Sequence, residues 1–158
     1  MRVNELPGQL AHDDLELVRT LSLAGIVVPQ ARAESIDAVR EVGVPIVAVI
    51  ESARGVREAY EIASRPHVQA VQLGANDLAR DLGLQQRDDA LELLHFRSRL
   101  VADAVAAGVH AIFDRVLVTA SVEELERDAR FARSLGFTGK STTTPSHAGA
   151  INRVFRGR

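Results

Sequence analysis

The sequence predicts an α/β protein built on a parallel sheet, and three observations carry that prediction. Short β-branched apolar runs bounded by Gly or Pro recur along the chain. Stretches with helical periodicity separate them. No Pro/Gly/Ser-rich linker, low-complexity segment or shift in composition breaks the alternation, so residues 1–158 read as one domain.

Each element follows in order. Arg2–Asn4 is a first short strand, and a helix over residues 12–22 places Leu15, Val18 and Leu21 on one face. The second strand is Gly25–Pro29, followed by a helix over 33–42 that aligns Ile36, Val39 and Val42. The third strand, Pro45–Glu51, leads into a helix over Arg54–Ser64 carrying Val56, Tyr60 and Ala63. The fourth, Val68–Gly74, leads into a short turn at Asp77–Gly83 and a longer amphipathic helix over Asp88–Ala107. The fifth is Val109–Asp114. The helix after it, Val122–Leu135, opens with Ser121 and has Glu124 three residues on, the signature of a capping box. A sixth strand is expected within Phe137–Thr143. About six strand–helix units joined by right-handed crossovers imply a parallel sheet. They leave two architectures open: a doubly wound sheet, or a (β/α)8 barrel, which needs eight units and about 250 residues.

Composition narrows the function classes. The chain has 158 residues, 46% of them hydrophobic and 25% charged, with a formal net charge of −2. That balance suits a folded domain and lacks the basic footprint of a nucleic-acid binder. Without cysteine there is no disulfide scaffold, thiolate chemistry or Cys-ligated zinc. No apolar stretch reaches about 18 residues, and the start MRVNELPG has no signal-peptide core. The expectation is a cytoplasmic protein that binds neither membrane nor nucleic acid. Aromatics make up only 4%, so the core is aliphatic, and Lys140 is the only lysine among 19 basic residues.

Reacting groups on parallel sheets collect at the carboxyl ends of strands. Glu51 ends one strand and Asp77 stands just past the end of the next. Two hard carboxylates converging on one rim suit Mg²⁺, which takes one or two protein carboxylates and completes its octahedron with water and substrate oxygens. They also suit an acid–base pair, or simple helix caps. Arg2, on the first strand, has the geometry to clamp a carboxylate bidentately, or is a surface residue. Gly136–Ser141 lacks the glycine that a phosphate loop requires, and Gly74 with Gly83 does not complete a dinucleotide fingerprint. The histidines (12, 67, 95, 110 and 147) show no metal-binding spacing, and no serine sits in a nucleophile-elbow frame.

Taken together, several strings resemble the HpcH/HpaI aldolase and citrate lyase β-subunit family. They are Met1-Arg2-Val3-Asn4, Val28-Pro29-Gln30, Val49-Ile50-Glu51-Ser52-Ala53-Arg54-Gly55-Val56, and the run from Leu73-Gly74-Ala75-Asn76-Asp77-Leu78 to Leu82-Gly83. Leu135-Gly136-Phe137-Thr138-Gly139-Lys140 and Pro145 through Phe155 continue the match in order. The resemblance implies a (β/α)8 barrel of the TIM type, here an incomplete one of about six units. It implies Mg²⁺ held by Glu51 and Asp77, and a substrate acid bound by Arg2, which is also the expected catalytic residue, with Gly74 and Ala75 lining the substrate. The implied reaction cleaves or forms a C–C bond next to a carbonyl, in a hydroxyacyl-CoA such as citryl-CoA or malyl-CoA.

The departures shape the alternatives. Where the family reads V-P-K this chain has Gln30, and where it reads I-H-P-x-Q this chain has Thr143-Thr144-Pro145-Ser146-His147. The Asp expected at the end of the seventh barrel strand falls at Phe113 or Asp114, depending on register. The family's first two βα units and its C-terminal lid are expected before Met1 and after Arg158. Two other functions therefore accompany the lyase: a class II aldolase acting on small 2-oxo acids, and a non-catalytic fragment that binds metal and carboxylate. A barrel arc also leaves strand edges and apolar helix faces uncovered, which predicts a homo-oligomer.

Overall fold

The computed structural model describes residues 1–85, 87, 89–118 and 121–156. Five parallel strands, β1 (Ile26–Val28), β2 (Ile46–Ile50), β3 (Val68–Leu73), β4 (Ala111–Asp114) and β5 (Gly139–Lys140), lie side by side in chain order. The first expected strand contributes a single parallel bridge, Arg2 to Val27, so the extended start of the chain continues the sheet beyond β1. A doubly wound sheet reverses its strand order once, at a switch point. Here the order never reverses, so right-handed crossovers put every helix on one face, as in a barrel wall. The sheet is an arc of a TIM-type barrel.

The helices are α1 (Gln9–Thr20), α2 (Ala33–Val39), α3 (Ala53–Arg57), α4 (Ala59–Ala63), α5 (Ala75–Leu82), α6 (Leu94–Ala106), α7 (Val122–Leu135) and α8 (Ala148–Phe155). Helix α7 matches its expected span, and its capping box is formed: Ser121 Oγ accepts from Glu124 N–H while Glu124 Oε2 accepts from Ser121 N–H. The helix expected over 54–64 is two, broken at Glu58. That carboxylate accepts from Ala33 N–H at 3.0 Å and from Arg54 Nε at 2.7 Å, which ties the break to the start of α2. The turn expected at 77–83 is helix α5, with Asp77 inside its first turn. Helix α6 begins later than expected, after a 3₁₀ turn at Leu91–Leu93; Asp88, the expected first residue, lies outside the described residues. The last strand is only two residues long.

Alternation along the strands gives the sheet two unlike faces. Ile46, Ala48 and Ile50 of β2, Val71 and Leu73 of β3 and Ile112 of β4 pack with Ile36, Ile62 and Leu100 of the helices into one aliphatic core. Full burial of each such side chain is worth about 1.5–3 kcal/mol. Glu51, one residue beyond Ile50, therefore belongs to the opposite face, the inside of the arc.

Candidate functional site

Glu51 lies at the end of β2 with 4% of its surface exposed. Three local features hold it there. Gln30, at the end of β1 with a left-handed backbone (φ 45°), donates its N–H to Glu51 Oε1 at 2.8 Å. Ser52, not Glu51, caps α3, its Oγ accepting from Gly55 N–H at 3.1 Å, so the Glu51 side chain is left free of capping duty. Gly74, at the end of β3, lies flat against Glu51, where any Cβ would overlap its Cβ and Oε2. The motif glycine is thus the space into which the carboxylate of the neighbouring strand fits.

Asp77, three residues on in the first turn of α5, brings a second carboxyl within hydrogen-bonding reach of Glu51. Burial pushes the Glu51 carboxyl above its ordinary value, and Asp77 adds to the rise. The Gln30 N–H and the Arg2 guanidinium oppose it without cancelling it. Arg2 Nη2 stands 3.8 Å from Glu51 Oε1, with 60% of its side chain exposed. Asp77 is also held by Arg80 one turn along α5, Nη1 to Oδ1 at 2.5 Å. Another link joins the two motifs: Asp81 Oδ2 accepts from Ala53 N–H at 2.7 Å, fixing the start of α3 against α5.

The structure therefore brings Arg2, Glu51, Gly74 and Asp77 to one rim, with Ala75 buried at the start of α5. Among the described residues no group of three or more His, Cys, Asp or Glu could hold a metal alone. Two carboxylates, one of them buried and disfavoured as an anion, still suit a magnesium ion that keeps waters and substrate oxygens on its remaining positions. The contributions of Gln30 and Asp81 were not expected. Both act through backbone N–H bonds, which no residue pattern announces.

A second cluster of charges stands at the same rim; of its members the sequence reading singles out only Asp114, as a candidate strand-end Asp, and the lone Lys140. Asp114, at the end of β4, is wholly buried and takes Arg97 of α6 bidentately, at 3.1 Å from Nε and 2.6 Å from Nη2. Lys140, at the end of β5, lies 2.9 Å from Asp114 and 2.5 Å from Asp128 of α7, and Arg115 Nη2 reaches Asp128 at 3.1 Å. Burial alone would raise the Asp128 carboxyl, but Lys140, Arg115 and Arg97 hold it below its ordinary value. These contacts reach the helices, so Asp114 is turned to the helix layer. Phe113 takes the inner face, its ring filling the space where a Cβ on Gly139 would sit.

Comparisons with known proteins agree with this geometry. The family model described as HpcH/HpaI aldolase/citrate lyase matches residues 1–145. A citrate lyase subunit beta-like protein of Deinococcus radiodurans is 33% identical over 162 aligned residues, covering 98% of this chain and 57% of that protein. A (3S)-malyl-CoA thioesterase of Cereibacter sphaeroides is 32% identical, covering 98% of this chain and 55% of that one. The chain thus spans just over half the length of these relatives. Among solved structures, the citrate lyase beta subunit of Mycobacterium tuberculosis complexed with oxaloacetate and magnesium superposes with a TM-score of 0.88 at 27% identity, over 99% of this chain and 72% of that one. With the family model matched over nearly the whole chain and the same barrel wall found in its solved members, this chain belongs to the HpcH/HpaI aldolase/citrate lyase family.

Proposed function

We propose that the chain forms the metal- and carboxylate-binding wall of a Mg²⁺-dependent lyase that cleaves or forms a C–C bond in a hydroxyacyl-CoA such as citryl-CoA or malyl-CoA. The observation that carries this reading is the juxtaposition of Glu51 and Asp77 at the carboxyl ends of adjacent strands, with Glu51 buried and held off its ordinary acidity. Glu51 and Asp77 would hold the ion. When bound, Mg²⁺ stabilises negative charge on the oxygen of the oxo or hydroxy acid fragment. Arg2 is placed to take that fragment's carboxylate in a charge-assisted pair, its guanidinium being exposed beside Glu51. Gly74 and Ala75, at the end of β3 and the start of α5, would line the substrate beside Glu51.

The relatives support this class of substrate: one is a citrate lyase-like protein, another acts on malyl-CoA, and the solved neighbour holds oxaloacetate with magnesium. The thioesterase relative also favours a second reading, hydrolysis of the thioester. One assay separates them. Malyl-CoA is supplied with Mg²⁺, free thiol is followed by a thiol reagent, and glyoxylate is followed by a carbonyl reagent. Glyoxylate without thiol supports the lyase, and thiol without glyoxylate supports the thioesterase. Turnover that survives Glu51→Ala would sink the site assignment in either case.

The same barrel arc supports self-association. Leu10, Leu17 and Leu21 on or next to α1 are 66%, 48% and 44% exposed, at a spacing that puts them on one side of the helix. Sedimentation of a monodisperse monomer at high concentration would overturn that reading.

A further inference from the structure

Just below Glu51 and Gly74, four residues stand in register across the sheet: Val49 of β2, Gln72 of β3, Phe113 of β4 and Gly139 of β5. Their chain neighbours Ile50, Val71, Leu73 and Ile112 belong to the helix-facing core, so by alternation these four line the inside of the arc. Gln72 is the polar member of the layer. Strands of a parallel sheet read as near-continuous apolar runs, and an amide set among apolar groups is costly until something bonds it. The half-buried Gln72 side chain has no hydrogen-bond partner among the described residues. From Glu51 it stands one strand over and one layer down, about 5 Å across the sheet and about 7 Å along it. A small acid chelated at Glu51 and Asp77 would fill that gap.

The same layer carries no charge. Arg97 and Lys140 are committed to Asp114, Arg115 to Asp128 and Arg80 to Asp77. Arg2 remains to face Glu51. One guanidinium matches one carboxylate. A second carboxylate directed into this layer would meet Val49, the Phe113 ring and an amide, and would lose water without gaining a cation.

We infer that Gln72 is a specificity residue of this site: its amide hydrogen-bonds the acid fragment, and the uncharged layer around it favours a 2-oxo monoacid of the glyoxylate or pyruvate type over a 2-oxo diacid such as oxaloacetate. The inference rests on the metal reading of Glu51 and Asp77. It also ranks the esters. Cleavage breaks the bond between the hydroxyl-bearing carbon and the α-carbon of the thioester; the hydroxyl loses its proton, and the α-carbon takes one up to leave acetyl-CoA. Malyl-CoA then yields glyoxylate and citryl-CoA yields oxaloacetate, so malyl-CoA is the ester this wall accepts.

Calorimetric titrations test it, first with MgCl₂ alone and then, in its presence, with three matched acids. Oxaloacetate is pyruvate bearing a second carboxylate, and 2-oxobutyrate is pyruvate bearing an extra methyl, which separates charge from size. The unaltered chain is expected to bind pyruvate at least about tenfold more tightly than oxaloacetate, with 2-oxobutyrate close to pyruvate. Gln72→Leu weakens pyruvate about tenfold and leaves Mg²⁺ affinity unchanged. Gln72→Arg supplies the missing cation and turns the preference toward oxaloacetate. Oxaloacetate bound as tightly as pyruvate, or 2-oxobutyrate rejected along with it, overturns the monoacid assignment. Gln72→Leu that binds pyruvate like the unaltered chain, or that loses Mg²⁺ as well, overturns the role of the amide. Mg²⁺ bound without any of the three acids overturns the whole inference. In each of these cases, Mg²⁺ binding that Glu51→Gln abolishes leaves the metal reading standing. An unaltered chain that binds no Mg²⁺ overturns both.

Discussion

Two carboxylate clusters occupy the same rim of one sheet, and their charge balance is opposite. At the ends of β4 and β5, Asp114 and Asp128 meet three cations, Arg97, Arg115 and Lys140, at 2.5–3.3 Å. At the end of β2 and the start of α5, Glu51 and Asp77 meet each other, with Arg2 at 3.8 Å and an exposed Arg80 as their only facing cations among the described residues. The signs of the shifts record the difference: the Asp128 carboxyl is held low and the Glu51 carboxyl is held high. A cluster whose carboxylates are compensated by cations locks helices α6 and α7 to the sheet. An under-compensated one leaves a buried carboxylate at a disadvantage, the setting in which the proposed cation would lower the cost. Chemistry of the residue type does not tell the two apart. The neighbours do.

The sharpest way to break this comparison is to delete one carboxylate from each cluster. Asp114→Ala leaves two buried cations, Arg97 and Lys140, with Asp128 as their remaining carboxylate, and is expected to cost about 3–5 kcal/mol of unfolding free energy, measured by urea denaturation. Glu51→Ala, which removes a charge the fold holds at a disadvantage, costs far less. Equal losses would refute the division into a structural and a functional cluster. Next in size is Gly74→Ala, whose methyl overlaps Glu51. It is expected to cost about 1–3 kcal/mol through overpacking, with Mg²⁺ affinity falling at least about tenfold as Glu51 is pushed aside. Retained Mg²⁺ binding in that variant would detach the glycine from the site.

The sequence made the Glu51–Asp77 cluster easier to find than the Asp114–Asp128 cluster, for a physical reason. Glu51 and Asp77 stand at ends of apolar runs, so strand-end logic alone brings them together. The alternation of strands and helices was readable in the same way, since period and Gly/Pro punctuation are local properties. Arg97, Asp114, Asp128 and Lys140 come from four elements, and nothing in their spacing announces that they converge; the lone lysine and the candidate strand-end Asp114 were the only hints. Whether Phe113 or Asp114 faces the inside depended on strand register, and a one-residue slip exchanges the faces. The break at Glu58 was equally hidden, because the groups that favour it, Ala33 N–H and Arg54, lie outside the broken turn or look helix-compatible.

A smaller effect separates the clusters by pH. Asp128 binds its proton more weakly when folded than when unfolded, so its contribution is present above its ordinary value near 3.8 and is lost as pH falls through the acid range. Asp128→Asn is therefore expected to cost about 1–2 kcal/mol at neutral pH. That cost shrinks toward zero on acidification in unfolding titrations. A cost independent of pH would mean that packing, not the carboxylate charge, is what Asp128 contributes.

Glu51 carries the reverse sign. Its folded form binds the proton more tightly than the unfolded chain does, so it costs nothing below its ordinary value near 4.5 and destabilises progressively as pH rises through the raised range. Glu51→Gln keeps an acceptor for the Gln30 N–H and removes the charge. Without metal, its unfolding free energy should equal that of the unaltered chain in acid and exceed it slightly at neutral pH, by about 1 kcal/mol or less. Added Mg²⁺ should invert the order, because an ion bound only to the folded state stabilises in proportion to the logarithm of its concentration over Kd, and Glu51→Gln has lost that ligand. The crossing of the two curves, variant ahead without Mg²⁺ and behind with it, is the signature of a carboxylate kept for an external cation. Curves that never cross would place Glu51 with Asp114, as a residue whose partners are all its own.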